Sequence, residues 1–287
     1  MIVFCDDGST ATKLSWFDTN NKLQTSVITN GFTSSWKSSG FGITSYNYLL
    51  EDQRYSYSPN SHEIEVTTNI RYQYNGINAL GIQQALQESG LKPQLIDIVV
   101  TLPISEYYDS DSQENTQNIK NKIKNIKRKI SLNKGNVFTF NNVYVYPESI
   151  PALVPELEKT HILDYEKSLI LDLGGTTLDC GLIMGEFKDV IKVSGAHNIG
   201  TQSLIKEISN ALLKADTCMN FNDTDIFIRK MLNNEDIAPL VNNIEQIPKI
   251  KEQLVISLKK LAKSCVNHIE QNYEGFQRIY ITGGGQN

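Results

Sequence analysis

Two aspartates, each closing an apolar run and each followed by a glycine, are the residues best suited to chemistry on a phosphate. Around Asp6 the chain reads Val3-Phe4-Cys5-Asp6-Asp7-Gly8-Ser9-Thr10, and around Asp172 it reads Leu169-Ile170-Leu171-Asp172-Leu173-Gly174-Gly175-Thr176-Thr177. Both follow one pattern: apolar strand, Asp, any residue, Gly, small residue, Thr, then a further strand. A polyphosphate needs many N–H donors at close range, and a tight turn of glycine and small hydroxyl residues supplies them from the backbone. An aspartate at the strand end can face a magnesium ion through water, since magnesium keeps most of its waters and needs only one or two carboxylates. Alone, an Asp-x-Gly is also an ordinary hairpin turn. Two copies 166 positions apart, about one domain length, instead suggest related halves offering a turn each to one ligand.

Two further segments carry chemistry. Ile279-Tyr280-Ile281-Thr282 runs into Gly283-Gly284-Gly285, which lets a backbone approach something flat or charged, and by itself is equally a flexible loop. In Pro147-Glu148-Ser149-Ile150-Pro151-Ala152, Glu148 stands at a strand-to-helix junction stiffened by prolines. There it can order a water for attack on a terminal phosphate, or serve only as a first-turn glutamate favoured by the helix dipole. Neither aspartate turn contains GxxxxGK[ST] or GxGxxG, and each leads into a strand rather than a helix.

The elements that must position these residues follow from pattern. Three strands are predicted over 2–6, 13–17 and 22–28, then a hairpin over 46–50 and 54–57. A helix over 78–89 ends at Gly90 and Pro93, before a buried-type strand over 96–102. The stretch 120–129 repeats Lys and Arg at helical spacing with Ile119, Ile123, Ile126 and Ile130 on one face. It reads as a solvated amphipathic helix rather than a DNA-binding patch. Strands over 137–140 and 143–146 lead to Pro147, and a helix starts near Ser149. The second half repeats the theme: strands over 169–172, 178–184 and 189–193, helices over 201–213, 223–232 and 251–271, and a last strand over 278–281.

At 287 residues the chain is long enough for two domains, with 40% hydrophobic and 21% charged residues, as in globular proteins. A net charge of −5 argues against general nucleic-acid binding. Cys5, Cys180, Cys218 and Cys265 are far apart and form no CxxC pair, which argues against a zinc site or disulfide framework and suits a reducing compartment. Asp6 and Asp7 interrupt the N-terminus and no basic flank precedes them, unlike a secretory leader. No apolar run approaches bilayer-spanning length. The expectation is a soluble, intracellular, cytoplasmic protein without membrane contact.

These segments together resemble the superfamily of actin, heat-shock chaperones and sugar kinases. Asp6-Asp7-Gly8-Ser9-Thr10 with Lys13 is similar to its first phosphate motif, and Asp172-Leu173-Gly174-Gly175-Thr176-Thr177-Leu178-Asp179 to its second. Ile281-Thr282-Gly283-Gly284-Gly285 is similar to its adenosine motif, and Pro147-Glu148-Ser149 to its first connecting motif. Within it, the chain most resembles the plasmid-segregation actins of the ParM (StbA) family. Val66-Thr67-Thr68-Asn69-Ile70, Thr101-Leu102-Pro103 with Glu106-Tyr107-Tyr108, and the segment 147–152 carry that likeness. The resemblance implies an α/β, actin-like (ribonuclease H-like) bilobed fold, with two mixed-sheet domains around a nucleotide cleft. Domain I would span 1–165, with a small variable subdomain at about 30–95. Domain II would span 166–287, with a helical subdomain at about 205–272. The family's tail beyond the glycine triplet is absent from this sequence, which ends at Asn287.

By position, the resemblance assigns Asp6 and Asp172 to a hydrated Mg2+, and Glu148 and Asp172 to catalysis. Asp6, Asp7, Gly8, Ser9, Thr10, Lys13, Gly174, Gly175, Thr176 and Thr177 would hold the phosphates of ATP or GTP. Gly283, Gly284 and Gly285 would line the adenosine side, and the loop from Gly195 to Gly200 would approach the ribose. It further implies an ATPase whose nucleotide-dependent homopolymer filaments segregate plasmid DNA, captured by a centromere-binding adaptor of ParR type rather than by direct DNA contact. A small-molecule kinase of the same superfamily and a nucleotide-binding scaffold without turnover are the alternatives. A kinase would use an aspartate base and a sugar-binding cluster, and neither is evident here.

Overall fold

The computed structural model describes residues 1–38, 45–65, 67 and 69–283. Val66 and Thr68 of the 66–70 segment, and Gly284 and Gly285, lie outside the described residues.

The first half opens with β1 (Ile2–Asp7), β2 (Ala11–Phe17) and β3 (Leu23–Thr29), an antiparallel meander. A small sheet follows from β4 (Phe32–Thr33) and the hairpin β5 (Asn47–Leu50) and β6 (Gln53–Tyr57). After a 3-10 turn at Ile70–Tyr74 come α1 (Gly76–Glu88), β7 (Leu95–Leu102), α2 (Ile104–Tyr107) and α3 (Thr116–Ile126). β8 (Ile130–Leu132) then joins the small sheet against β5, and β9 (Thr139–Pro147) returns to the main one. β7 lies parallel to both β1 and β9, giving a five-stranded sheet in the order β3-β2-β1-β7-β9. Alternate residues of β1, β2 and β7 (Val3, Cys5, Leu14, Trp16, Ile98 and Val100) are buried against Ile82, Ala85 and Leu86 of α1. Period-2 burial on the strands meets period-3.6 burial on the helix, which fixes the faces in contact.

α4 (Ile150–Lys159) leads to the second half: β10 (Lys167–Leu173), β11 (Leu178–Met184), β12 (Asp189–Ala196), α5 (Thr201–Leu213), α6 (Phe221–Leu232), α7 (Ile247–Asn272) and β13 (Arg278–Thr282). β10, β11 and β12 form another antiparallel meander, and β13 pairs parallel to β10 on its free side. β10 therefore occupies the place of β1, and β13 that of β7. The repeated motif is a repeated piece of architecture. α5, α6 and α7 bury their own cluster, with Ile208, Leu212, Phe227 and Ile250 at its centre.

Two sequence expectations change. The predicted breaks at 141–142 vanish into one strand, β9, because Asp97 Oδ1 accepts from Asn141 Nδ2 (3.0 Å), Asn142 N (3.0 Å) and Asn142 Nδ2 (2.9 Å). Two residues of β9 thus face one of β7, a bulge that absorbs what looked like a turn. The basic helix ends at Ile126, so Ile130 leaves its apolar stripe and begins β8. Its Lys122 is wholly buried rather than solvated.

Candidate active site

The two turns that end β1 and β10 are held from behind in the same way. Asn30 Nδ2, just past β3, donates to the carbonyls of Gly8 (2.8 Å) and Ser9 (3.1 Å). At the equivalent place in the second half, the first N–H groups of α5 do this work. Thr201 N donates to Gly174 O (3.2 Å) and Gln202 N to Gly175 O (2.8 Å). A helix start always leaves N–H groups without helical partners, and here the turn accepts them. These bonds fix each turn from behind, and within the second turn Gly174 N donates to Thr177 O (2.9 Å). The fronts meet: Ser9 Oγ and Thr176 Oγ1 lie 3.2 Å apart across the two halves.

Carboxylates gather between the turns. Asp6 pairs with Lys13 across β1 and β2, with Lys13 Nζ 2.8 Å from Asp6 Oδ2. Burial pulls the Lys13 ammonium down, but Asp6, with Asp172 and Glu148 behind it, outweighs this and holds it above the usual lysine range. Asp172 occupies the Asp6 position on β10, and its cross-strand partner on β11 is Asp179. Burial pushes Asp172 up to about 6, opposed by the Ser149 hydroxyl and reinforced by the charges of Asp179 and Asp6. Asp179 is also raised, mainly by burial, although Ser105 donates to it.

Glu148 follows the last residue of β9, where its N–H donates to Leu102 O (2.7 Å). Burial, then the charges of Asp172, Asp6, Asp179 and Asp7, hold its carboxyl well above the ordinary range. The next residue, Ser149, has φ +66°, a conformation that costs a non-glycine residue about 1–3 kcal/mol. The strain points the Ser149 hydroxyl at Asp172, while Thr282 at the end of β13 donates to Ser149 Oγ (2.8 Å).

All of this faces one cleft of about 850 Å³, lined from both halves by Asp6, Gly8–Thr10, Lys13, Glu148, Asp172, Gly174–Thr177, Asp179 and Gly283. That volume suits a nucleotide-sized ligand. The approach is close enough that a Cβ at Gly175 would lie 2.7 Å from Thr10 Cγ2. At Gly283, with φ +94°, a Cβ would collide with Asp172 Oδ1. Gly283 is required by space as well as by conformation, Gly175 by space alone.

The family model for the N-terminal part of plasmid segregation protein ParM matches residues 1–159, and that for its C-terminal part matches residues 162–287. The chain belongs to the ParM family. No curated protein sequence matches it. Among solved structures it resembles Ta0583, an archaeal actin homologue, with a TM-score of 0.69 at 16% identity over 99% of this chain and 87% of that one. The same protein in complex with ADP gives 0.68 at 15% identity over 99% and 87%. A 15-stranded ParM filament from Clostridium botulinum gives 0.70 at 14% identity over 99% and 88%. The fold is actin-like.

Within this ParM-family chain the cleft is lined by those predicted residues that are described, with one correction. Asp7 does not line it. Asp7 is fully buried behind β1, where it pairs with Lys122 and accepts from Asn78 Nδ2 (2.6 Å), because alternation along β1 turns it away from Asp6. Gly200 packs against the second turn: its Cβ would lie 2.6 Å from Gly175 O. The sequence reading assigned no role to Asn30, Gln73, Ser149 or Asp179. Asp179 had a signal, since it stands 166 positions after Lys13, the same offset that relates the two aspartates.

The donor set can be compared with the implied magnesium. Among the described residues no three acidic, imidazole or thiol groups converge as a direct metal cage. Asp6 and Asp172 instead approach one space from opposite halves and raise the charge cost there, as anchors for a hydrated cation do. No helix among the described residues is long and apolar enough to cross a membrane.

Proposed function

We propose that this chain is an Mg2+-dependent ATP or GTP hydrolase that forms nucleotide-dependent filaments with copies of itself and so segregates plasmid DNA through a ParR-type centromere-binding adaptor. One observation carries the hydrolytic reading: Glu148 opens into the cleft where the two aspartate–glycine turns of opposite halves meet. Membership of the plasmid-segregation family and likeness to a ParM filament support assembly.

In this reading the backbones of Gly8–Thr10 and Gly174–Thr177 grip the phosphates from two sides, and Gly283 gives room at the base side. Lys13 neutralises phosphate charge. Magnesium, held through water by Asp6 and Asp172, supplies further charge neutralisation when bound. Glu148 accepts a hydrogen bond from the attacking water and fixes its direction. Asp179, held by Ser105, and Ser149, held by Thr282, keep the second half in register with the first.

Glu148→Ala tests the proposal. It is expected to bind nucleotide with near-normal affinity, to hydrolyse it about 10²–10⁴-fold more slowly, and to build longer-lived filaments in a pelleting assay. Wild-type phosphate release by this variant sinks the role of Glu148. Failure of the unaltered protein to pellet with ATP or GTP and magnesium sinks the filament reading.

A further inference from the structure

Among the described residues, a fully buried pair of charges lies outside the cleft. Lys122, in the middle of α3, has 0% exposure, as has its partner Asp7. Its ammonium meets three acceptors: Asp7 Oδ2, Gln73 Oε1 and, at 3.3 Å, Asn78 Oδ1. Those three contacts use its three hydrogens. A buried ion pair of this kind adds little net stability over an apolar pair of the same volume, so its presence calls for another reason.

Gln73 supplies the reason. An ammonium can only donate, so the amide of Gln73 must turn its oxygen to Lys122 and its nitrogen the other way. On that other side, Gln73 Nε2 is 3.4 Å from Glu148 Oε1. Thr101 Oγ1 reaches the same carboxylate oxygen at 3.4 Å, while Thr101 N donates to Asp7 Oδ1 at 3.3 Å. Both donors to Glu148 are thus tied to the Lys122–Asp7 pair, and both converge on Oε1. With the lysine gone, the amide is free to flip and present its oxygen to the carboxylate, which repels it.

We propose that Lys122 is a positioning residue for hydrolysis: it locks the Gln73 amide, which with Thr101 holds one oxygen of Glu148 and so aims the other at the attacking water. The proposal rests on the reading of Glu148 given above. It extends the site from the cleft to the far side of β1.

The test measures single-turnover hydrolysis and, separately, affinity for a fluorescent ATP analogue. Gln73→Leu keeps the Lys122–Asp7 pair and removes the link to Glu148, together with one acceptor of the ammonium. It is expected to slow hydrolysis about 10-fold or more while affinity stays within about 2-fold. Gln73→Glu keeps the lysine contact but has no N–H for Glu148, and should lose at least as much. Lys122→Met should fall to the level of Gln73→Leu, and the double variant no further, since both remove one linkage. If Lys122→Met does not fold because Asp7 is stranded, Asp7→Asn with Lys122→Met removes both charges, and the Gln73 variants remain decisive. Wild-type hydrolysis in both Gln73 variants overturns the proposal. So do equal losses of rate and affinity, or additive losses in the double variant. Glu148→Gln separates the two readings. If Glu148→Gln is slow while both Gln73 variants are normal, only the linkage fails; if Glu148→Gln is itself normal, the role of Glu148 fails first.

Discussion

Glu148, Asp172 and Asp179 share one partly buried space, and each is held above the ordinary carboxyl range by burial, to which neighbouring carboxylate charge adds at Glu148 and Asp172. At neutral pH that crowding weakens the folded state. Asp172→Asn removes one charge yet keeps an oxygen to accept from Ser149. It should therefore raise the melting temperature of nucleotide-free protein by about 2–4 °C, the effect of roughly 1 kcal/mol in a chain of this size. The same change should lower magnesium-dependent nucleotide affinity by at least about 10-fold, because a hydrated ion loses one of two anchors. Differential scanning fluorimetry with and without Mg-ATP reads both effects. A lower melting temperature without nucleotide counts against the crowding argument. At this scale the sequence shows the aspartates and Glu148 because their motifs are local. Asn30 was invisible, as its grip on Gly8 and Ser9 depends on the β2–β3 register, which sets Ala11 opposite Thr29.

At the scale of elements, both aspartate–glycine turns are held from behind by a backstop, and the two halves do this differently: one with a side-chain amide, the other with the start of α5. The second solution demands contact between backbones. A Cβ at Gly200 would lie 2.6 Å from both Gly175 O and Thr176 C, so Gly200→Ala must push α5 off the turn. The expected cost is about 1–3 kcal/mol of stability with nucleotide affinity reduced about 10-fold or more. Gly135→Ala makes a useful contrast. Its Cβ would meet nothing within 4 Å, and strain at φ +97° should lower stability without touching affinity. Equal affinity losses in the two variants, by titration of fluorescent nucleotide, refute the backstop. Helix α3 shows where element-level reading stops. Its isoleucine stripe is plain, but Lys122 lies at the edge of that stripe, one turn after Ile119 and one turn before Ile126, and lysine there reads as solvent-facing until Asp7 appears beneath it.

At the scale of the whole molecule, the halves touch at residues far apart in sequence, and no local pattern announces such pairs. Ser9 and Thr176 are 167 positions apart, and Asn222 and Pro59 are 163 apart. The first contact lies between the two turns. The second brings the start of α6 to the loop that follows the small sheet. There Asn222 Nδ2 donates to Pro59 O at 2.8 Å and to Asn30 O at 3.4 Å, and Asn220 Nδ2 donates to Asn60 O at 3.3 Å. Asn30 thus belongs to both places: its side chain backs the first aspartate–glycine turn while its carbonyl accepts from the opposite half. Contact across the cleft is therefore linked to the first aspartate–glycine turn. Asn222→Ala removes the amide and keeps α6, whose cap is Asn220. At about 1 kcal/mol for a lost hydrogen bond, nucleotide release should speed up about 5-fold in stopped-flow fluorescence. Single-turnover hydrolysis, set by groups at the turns, should change less. The radius of gyration with nucleotide bound should move toward the nucleotide-free value in small-angle scattering. Unchanged release together with an unchanged scattering profile means that the turns alone hold the halves together.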